Sequence, residues 1–363
     1  MSEDAPEADE RPLHPVEPSP GRAPLLQVRD LKVHFKTDDG VVKAVDGISY
    51  EMHPNEVLGV VGESGSGKTV SAMAIMGLLP RTARIEGQIK FKGQDVLGLT
   101  ERELRALRGN RIAVVFQDSL AALNPVYTVG GQVAEAITAH HDVGKAELRD
   151  RVGDLLDLVG ISDPRENAKR YPHEWSGGMR QRAMIAMAIA NDPDLLIADE
   201  PTTALDVTIQ AQVLDVLERV QDRTHSAIML ITHDLGVVAG IADRVMVMYA
   251  GRQAELAPVD DLYANARHPY TLGLMASLPT VNRRQMDERL YRVEGQPPSL
   301  IYVPPGCPFH PRCFAARLPE PCATERPDMR PIDGAEADHQ ASCHFAEEMA
   351  EVTVEKLRTG AAG

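Results

Sequence analysis

One short stretch constrains the fold of this chain more than any other, an apolar segment followed at once by a glycine-rich loop. Val57–Val61 holds only valine, leucine and glycine, and residues 62–69 match the pattern G-x-x-x-x-G-K-[ST]. Glycines let backbone N–H groups turn inward around a phosphate, and a helix that begins at the loop adds its positive dipole end. We therefore expect a buried strand, a phosphate-binding loop and a helix over about residues 68–79.

The composition argues against two classes of protein. The chain has 363 residues and a formal net charge of -15, whereas nucleic-acid binders depend on clustered Lys and Arg. No stretch approaches the roughly 18 consecutive apolar residues that span a bilayer. The start, Met1-Ser2-Glu3-Asp4, also lacks the basic and apolar regions of a signal peptide. We expect no nucleic-acid partner and a cytoplasmic protein that reaches any membrane through a partner.

The order of apolar segments predicts an α/β domain that contains a helical insertion. Residues 1–23 are acidic and proline-rich, so we expect them to be disordered. Apolar periodicity predicts strands at 26–29, 31–35, 41–45, 48–52, 87–93, 111–116, 194–200, 227–233 and 244–249. Helical periodicity predicts helices at 129–140, 145–159, 177–190 and 207–223. The insertion is placed at about 119–190. Continuous apolar strands that alternate with helices indicate a parallel sheet covered on both faces.

Polar residues follow several of these strands and predict a single site. In parallel sheets, ligands bind at the carboxyl ends of the strands, where Gly62, Gln117, Asp199, Glu200 and His233 fall. An acidic residue after an apolar strand can hold magnesium together with a P-loop hydroxyl. The carboxylate beside it could polarise an attacking water as a general base.

A serine followed by two glycines narrows the interpretation. Ser176, Gly177 and Gly178 begin a predicted helix whose first N–H groups are free to bind an anion. With the P-loop, Gln117, residues 196–206 (LIADEPTTALD) and residues 231–234 (ITHD), they resemble the ATP-binding subunits of ABC transporters in order and spacing. The resemblance covers about residues 25–260.

This resemblance implies the fold class and the role of each site residue. It implies a P-loop NTPase (RecA-like) core with an antiparallel β subdomain and the helical insertion, using ATP and Mg²⁺. The residues implied to cradle the triphosphate are Gly62, Ser64, Gly65, Ser66, Gly67, Lys68 and Thr69. Thr69, Asp199 and Gln117 would contact magnesium, with Phe35 stacking on adenine. Glu200 would be the catalytic base and His233 the switch residue at the γ-phosphate.

The resemblance also implies a larger assembly. Ser176, Gly177 and Gly178 would act on ATP held by a second, homologous ATPase subunit, and Asp206 belongs to the loop that crosses that interface. The other partners would be two transmembrane permeases and an extracytoplasmic peptide-binding protein. The chain would then lie at the cytoplasmic face of the cell membrane as a peripheral subunit.

Two departures from the usual signature narrow the subfamily. Trp175 stands where Leu is usual and Met179 where Gln is usual, and SGGMRQR resembles the peptide and nickel importers. Residues 268–274, 295–300 and 306–313 resemble the C-terminal extension of oligopeptide and dipeptide permease ATPases. We expect peptide uptake, with nickel or another small solute as the alternative substrate. A soluble ABC ATPase is a further alternative, whereas a P-loop kinase or GTPase gives no reason for the signature.

All four cysteines lie in this C-terminal region, Cys307, Cys313, Cys322 and Cys343. Because disulfides do not persist in the cytosol, this group of four cysteines predicts a metal centre. The C-x5-C-x8-C-x20-C spacing is looser than that of zinc fingers. Four thiolates on irregular loops suit a [4Fe–4S] cluster, and zinc or free thiols are the alternatives. The expected domains are an ATPase domain over 24–265, a small irregular cysteine-containing domain over 266–350 and a tail over 351–363.

Overall fold

The computed structural model describes residues 23–117, 122–203, 205–278, 291–333, 335 and 338–359. The tail expected over residues 1–23 therefore lies, except for its last residue, outside the described residues. The strands are β1 Leu26–Thr37, β2 Gly40–Met52, β3 Val57–Val61, β4 Ala83–Phe91, β5 Gln94–Asp95, β6 Ile112–Val115, β7 Leu195–Asp199, β8 Ala227–Thr232, β9 Arg244–Tyr249, β10 Arg252–Pro258, β11 Arg330–Pro331 and β12 Gln340–Ala341.

The central sheet carries the site. Its strand order is β11-β12-β10-β9-β3-β8-β7-β6, and the five strands from β9 to β6 are parallel. Every residue of β3, β7 and β8 is buried, which explains why these strands are continuous apolar runs rather than alternating ones. The expected parallel sheet, covered on both faces, is confirmed.

A second, antiparallel sheet has the order β2-β1-β4-β5. Four separate short strands were expected at 26–29, 31–35, 41–45 and 48–52, and this expectation is wrong. β1 and β2 are single long strands with shifts in register. Asp30 (φ 43°) and Gly47 (φ 91°) take left-handed backbone conformations at the breaks in the pattern. These local bulges shift the side-chain alternation without ending the strand.

The described helices are α1 Lys68–Ile75, α2 Glu101–Leu107, α3 Val129–Thr138, α4 Lys145–Leu158, α5 Pro164–Asn167, α6 Gly177–Ala188, α7 Val207–Thr224, α8 Leu235–Val238, α9 Val259–Asn265, α10 Pro269–Ala276 and α11 Val354–Arg358. Five of them, α1, α3, α4, α6 and α7, were expected from the sequence and begin at the expected residues, and four of these five end one to four residues early. The other six helices were not expected. Only α7 extends past its expected end, by one residue. Helices α3 to α6 form the helical insertion. None of the helices in the described part of the chain is long and apolar enough to cross a membrane.

The C-terminal region packs directly on the ATPase core. β12 pairs with β10 and so continues the central sheet. Tyr270, Phe309, Met349 and Leu357 belong to the same hydrophobic core as the buried residues of the parallel strands. The domain boundary near residue 265 stays a prediction, because no gap in packing marks it among the described residues.

Candidate active site

The loop between β3 and α1 can be built only with glycines at two of its positions. A Cβ atom on Gly62 would lie 2.2 Å from the carbonyl oxygen of Met248. Gly67 caps α1 with a φ of 101°, and a Cβ atom there would lie 2.3 Å from the carbonyl oxygen of Ala44. The backbone at Met248 and Ala44 thus packs closely against the loop, while Ser64 and Gly65 at its tip are exposed.

Lys68 lies inside this loop. Its Nζ donates to the carbonyl oxygens of Gly62 at 2.7 Å and Glu63 at 3.1 Å. Burial lowers the pKa of Lys68, and the carboxylates of Glu200, Asp199 and Glu63 oppose that shift. The ammonium group is therefore held at the centre of the loop, and the nearby carboxylates favour its charged form. A bound phosphate can replace the two carbonyl oxygens as its partner.

Thr69 and Asp199 bring two oxygen ligands together from distant parts of the chain. Thr69 Oγ1 donates to Asp199 Oδ1 at 3.1 Å. Asp199 ends the buried strand β7, so burial raises the pKa of its carboxyl group, and the hydrogen bond from Thr69 partly opposes the rise. A hydroxyl and a carboxylate are the hard oxygen ligands that Mg²⁺ prefers in phosphate-binding sites. The pair fits the magnesium position that the sequence predicts.

Glu200 is the meeting point of three polar side chains. Its Oε2 accepts hydrogen bonds from Thr203 Oγ1 at 2.7 Å and Gln117 Nε2 at 3.1 Å, and His233 Nδ1 lies 3.5 Å away. The Glu200 backbone has a φ of 48° and its N–H donates to Ile231 on the neighbouring strand. Because β6, β7 and β8 are adjacent and parallel, their carboxyl ends bring Gln117, Glu200 and His233 together. Sequence reasoning missed Thr203, although it stands in the same loop three positions after Glu200.

The signature residues occupy a different place from the phosphate loop. Exposed Ser176 caps α6 by accepting from the backbone N–H of Met179 at 3.3 Å. A Cβ atom on Gly178 would lie 2.7 Å from Ile209 Cγ2, and one on Gly177 would lie 3.9 Å from Leu205. Asp206 caps α7 through the N–H of Ile209. The start of α6 is thus packed against the start of α7.

Phe35 lies in the antiparallel sheet rather than in the central one. It is half-buried in β1, opposite Val42 of β2 and Ala83 of β4, and packs against the hydrophobic core that this sheet shares with α1. Its role against adenine stays a prediction.

The four cysteines converge, although no metal site is preformed. None is in a disulfide, and all four line one small pocket together with Phe309 and His268. Burial raises the pKa of Cys307 to about 11 and that of Cys313 and Cys343 to about 12. Within the described residues, no group of three or more His, Cys, Asp or Glu side chains is arranged to hold a metal ion. The expected [4Fe–4S] or zinc site is therefore not supported by this arrangement, even though the thiol donors lie together.

Comparisons with known proteins identify the family of the chain. A family model described as ABC transporter matches residues 45–203, and one described as Oligopeptide/dipeptide transporter, C-terminal region, matches residues 254–322. The Dipeptide transport ATP-binding protein DppD of Bacillus subtilis is 50% identical over 80% of this chain and 86% of its own length. The chain belongs to the family of oligopeptide and dipeptide ABC transporter ATP-binding proteins.

Other relatives match to different extents. The Oligopeptide transport ATP-binding protein OppD of Salmonella typhimurium is 48% identical over 80% of this chain and 86% of its own length. OppD of Mycobacterium tuberculosis is 54% identical over 88% of this chain, but the chain spans only 52% of that relative's length. Among solved structures, cbiO1 of Clostridium perfringens has a TM-score of 0.58 at 27% identity, covering 66% of this chain and 91% of its own. The ATP-binding cassette MJ0796 has a TM-score of 0.59 at 24% identity, covering 64% of this chain and 98% of its own, and shows the same fold.

Proposed function

We propose that the chain is the ATP-hydrolysing subunit of an ABC importer that powers the uptake of dipeptides or oligopeptides. The observation that carries the proposal is the contact between Thr69 and Asp199, with Glu200 next in the chain. This contact supports the proposal because it joins a P-loop hydroxyl to a carboxylate that could bind Mg²⁺, with a candidate general base next in the chain. The names of the relatives favour oligopeptides and dipeptides over nickel as the transported solute.

The chain's own groups would divide the work of hydrolysis. Backbone N–H groups of residues 62–69 and the ammonium of Lys68 bind the phosphates. Thr69 and Asp199 hold Mg²⁺, which when bound neutralises charge on the phosphate oxygens. Glu200 takes the proton of the attacking water, in an orientation fixed by Thr203 and Gln117.

We propose that a second ATPase subunit completes the site. Ser176 and Asp206 are exposed, and Val207, the first residue of α7, is 81% exposed. An exposed apolar residue beside two polar caps suits a surface that another subunit covers. The signature of residues 176–178 would there bind the γ-phosphate on the opposite subunit, and a homologous but non-identical partner is the arrangement we favour.

The surface next to Gln117 supports a membrane partner. Phe116, Val126 and Tyr127 are 40%, 70% and 59% exposed and flank the segment that contains Gln117. Exposed apolar side chains in such a group mark a protein contact. We propose that the permease subunits dock here, so that the chain lies at the cytoplasmic face of the membrane and powers the transport of peptides that an extracytoplasmic binding protein delivers to the permeases. Gln117 would link this contact to Glu200.

The substitution Glu200→Gln tests the proposed mechanism. The variant should bind ATP with the parent's affinity and lose turnover by about a hundredfold or more, because an amide cannot accept the water's proton. Glu166→Gln, at an exposed carboxylate paired with Lys169, is the matched control and should hydrolyse ATP like the parent. Hydrolysis at the parent rate by Glu200→Gln would overturn the assignment of the base. Reconstitution with the permeases tests the substrate, since peptides rather than nickel should stimulate turnover.

For the cysteine pocket, we propose a [4Fe–4S] cluster held by Cys307, Cys313, Cys322 and Cys343, with Zn²⁺ as the alternative. The support is their convergence as free thiols in one pocket. The C-x5-C-x8-C-x20-C spacing of these cysteines is looser than that of zinc fingers, which weighs against zinc. Iron and acid-labile sulfide assays on anaerobically purified protein test this. One equivalent of zinc without iron would overturn it.

A further inference from the structure

A bidentate salt bridge joins the phosphate loop to the C-terminal region. Arg312 Nη1 and Nη2 donate to the two carboxylate oxygens of Glu63 at 2.7 Å and 3.0 Å. Glu63 is the second residue of the loop, and the Arg312 side chain is only 6% exposed. Two parallel charge-assisted bonds from a planar guanidinium fix orientation as well as distance. The loop is therefore held from a residue about 250 positions away in the chain.

The backbone of the same loop residue is held separately. The N–H of Glu63 donates to the hydroxyl of Tyr270 at 2.9 Å. Tyr270 lies in α10, which follows all the sequence motifs of the ATPase site, and it is fully buried. The backbone and the carboxylate of Glu63 thus each have a partner from beyond residue 265.

Other contacts hold the side chain of Arg312 in place, in addition to its salt bridge with Glu63. Its Nε donates to the carbonyl oxygen of Glu294 at 2.9 Å, and its Nη1 donates to Tyr249 Oη at 3.2 Å. Its guanidinium carbon lies 5.7 Å from the centre of the Tyr249 ring and 6.0 Å from that of Phe309. Because the side chain is already immobile, little conformational entropy is lost in holding the loop.

The charge of Glu63 explains why the loop needs such a partner. A carboxylate in a loop that binds a polyphosphate repels the ligand, and a few ångströms of separation make that repulsion significant near a protein surface. Arg312 neutralises this charge. It also keeps the carboxylate turned toward the C-terminal region and away from the exposed tip at Ser64 and Gly65.

We propose that Arg312 is a positioning residue for the phosphate loop, which acts through Glu63 and sets the affinity for ATP from the cysteine-containing region. This inference rests on the proposed function, since it assigns the loop an ATP ligand. Arg312 lies between Cys307 and Cys313, so the segment that carries two of the cysteines also completes the nucleotide site of the same chain.

A double-substitution experiment on the full chain, purified anaerobically, tests the proposal. The measured quantity is the Kd of a fluorescent ATP analogue with Mg²⁺. Arg312→Gln should weaken binding about five- to tenfold, because Glu63 becomes an unpaired negative charge beside the phosphates. Glu63→Gln removes that charge, so the Arg312→Gln, Glu63→Gln double variant should recover binding to within about twofold of the parent. Binding by Arg312→Gln within twofold of the parent overturns the proposal, and so does a double variant that binds no better than Arg312→Gln.

Two controls separate positioning from loss of structure. Arg317→Gln breaks another ion pair of the same region, with Glu348, and removes a guanidinium that lies 3.8 Å from the Phe345 ring. It should leave the Kd within about twofold of the parent. Reaction of the four cysteines with a thiol reagent reports on the fold of their pocket, and Arg312→Gln should leave its rate unchanged. A faster reaction in Arg312→Gln that persists in the double variant overturns the proposal in favour of local unfolding.

Lys68→Ala distinguishes this inference from the proposed function. If the parent binds the analogue and Lys68→Ala does not, the nucleotide site is real, and the Arg312 result decides the inference alone. If the parent itself fails to bind the analogue, or binds it independently of Lys68, the proposed function fails and the inference fails with it.

Discussion

Thr203 Oγ1 donates a hydrogen bond to Glu200 Oε2 at 2.7 Å, the shortest of the contacts around that oxygen. Among the described residues all three of these contacts are made to Oε2, so Oε1 of the same carboxylate is the oxygen that would accept a proton from water. The bond from Thr203 also orients the side chain of Glu200, whose backbone is in the left-handed region. In that conformation the strand alone does not set the direction of the side chain. The orientation of the candidate base thus depends on a neighbouring hydroxyl as well as on Gln117.

Replacing Thr203 by valine should lower ATP turnover about tenfold while KM for ATP stays within about twofold. A bond to a charged group is worth about 1.5–3 kcal/mol, and its loss lets the carboxylate leave the productive position without touching the phosphate loop. Steady-state hydrolysis assays give both constants. Thr202→Val is the control, since Thr202 accepts from Gln210 instead and its loss should leave turnover within about twofold. Equal losses in the two variants would contradict the role of Thr203.

The substitution Asp199→Asn should stabilise the protein in the absence of magnesium and nucleotide. Burial raises the pKa of Asp199, so its charged form is costly at neutral pH, and this cost disappears as the pH falls through the raised pKa. We expect a Tm higher by about 2 °C or more at pH 7.5 with EDTA, and a smaller gain near pH 4. The variant should also lose the Tm increase that Mg²⁺ and ATP give the parent.

The same substitution at Asp194, the residue just before β7, should not raise Tm. Its carboxylate forms salt bridges with Lys92 at 2.7 Å and Arg111 at 2.6 Å. Asp194→Asn should therefore leave Tm unchanged or lower it at pH 7.5. A stabilising effect of similar size at both positions would show that the gain at Asp199 does not come from its desolvated charge.

The parts of this fold that sequence reasoning reached are those with a local pattern. β3, β7 and β8 are nearly continuous apolar runs, and the residues at their carboxyl ends, Gly62, Asp199 and His233, are of types that the chemistry of phosphate and magnesium explains. Because parallel neighbours bring their carboxyl ends together, the meeting of Gln117, Glu200 and His233 could be expected before the structure was known. Helix starts were equally accessible, since Ser176 and Asp206 are recognisable capping residues.

Contacts made by single polar residues across long sequence separations were not accessible. Nothing near Arg312 marks Glu63 as its partner, and nothing near His339 indicates that it lies between Glu255 and Asp261. Such pairs have no period and no fixed spacing, because the fold as a whole brings them together. The continuity of β1 was missed for a different reason: the bulge at Asp30 shifts the alternation by which strands are recognised.

Two glycines in helices should respond in opposite ways to the same substitution. A Cβ atom at Gly178 in α6 would lie 2.7 Å from Ile209 Cγ2, whereas one at Gly153 in α4 would find its nearest neighbour, Arg165 Cγ, at 3.8 Å. Gly178→Ala should therefore cost about 1–2 kcal/mol by overpacking. Gly153→Ala should instead gain about 0.5–1 kcal/mol, because alanine loses less backbone entropy in a helix. Urea unfolding measures both free energies, and the addition of Ile209→Val should recover part of the loss at Gly178.

A buried ionic triad fastens the C-terminal region to the core. His339 is fully buried, with Nδ1 2.5 Å from Asp261 Oδ2 and Nε2 2.7 Å from Glu255 Oε1. Burial alone would lower the pKa of His339, but the hydrogen bonds and charges of Glu255 and Asp261 raise it overall. The raised pKa favours the charged imidazole, in which both ring nitrogens carry a proton and can donate to the two carboxylates.

The substitution His339→Gln should lower the free energy of unfolding by about 3 kcal/mol at pH 6, because it removes a positive charge that lies between two buried carboxylates. A raised histidine pKa contributes stability that is fully present below about pH 6.5 and is lost as the pH rises through the folded-state value. The difference between parent and variant should therefore shrink between pH 6 and pH 9 in urea titrations. His344→Gln is the control, since that ring contacts only the carbonyl oxygen of Glu325 among the hydrogen bonds described, and it should show a small difference with no such trend. A difference at His339 that grows with pH would mean that the imidazole is neutral in the folded protein.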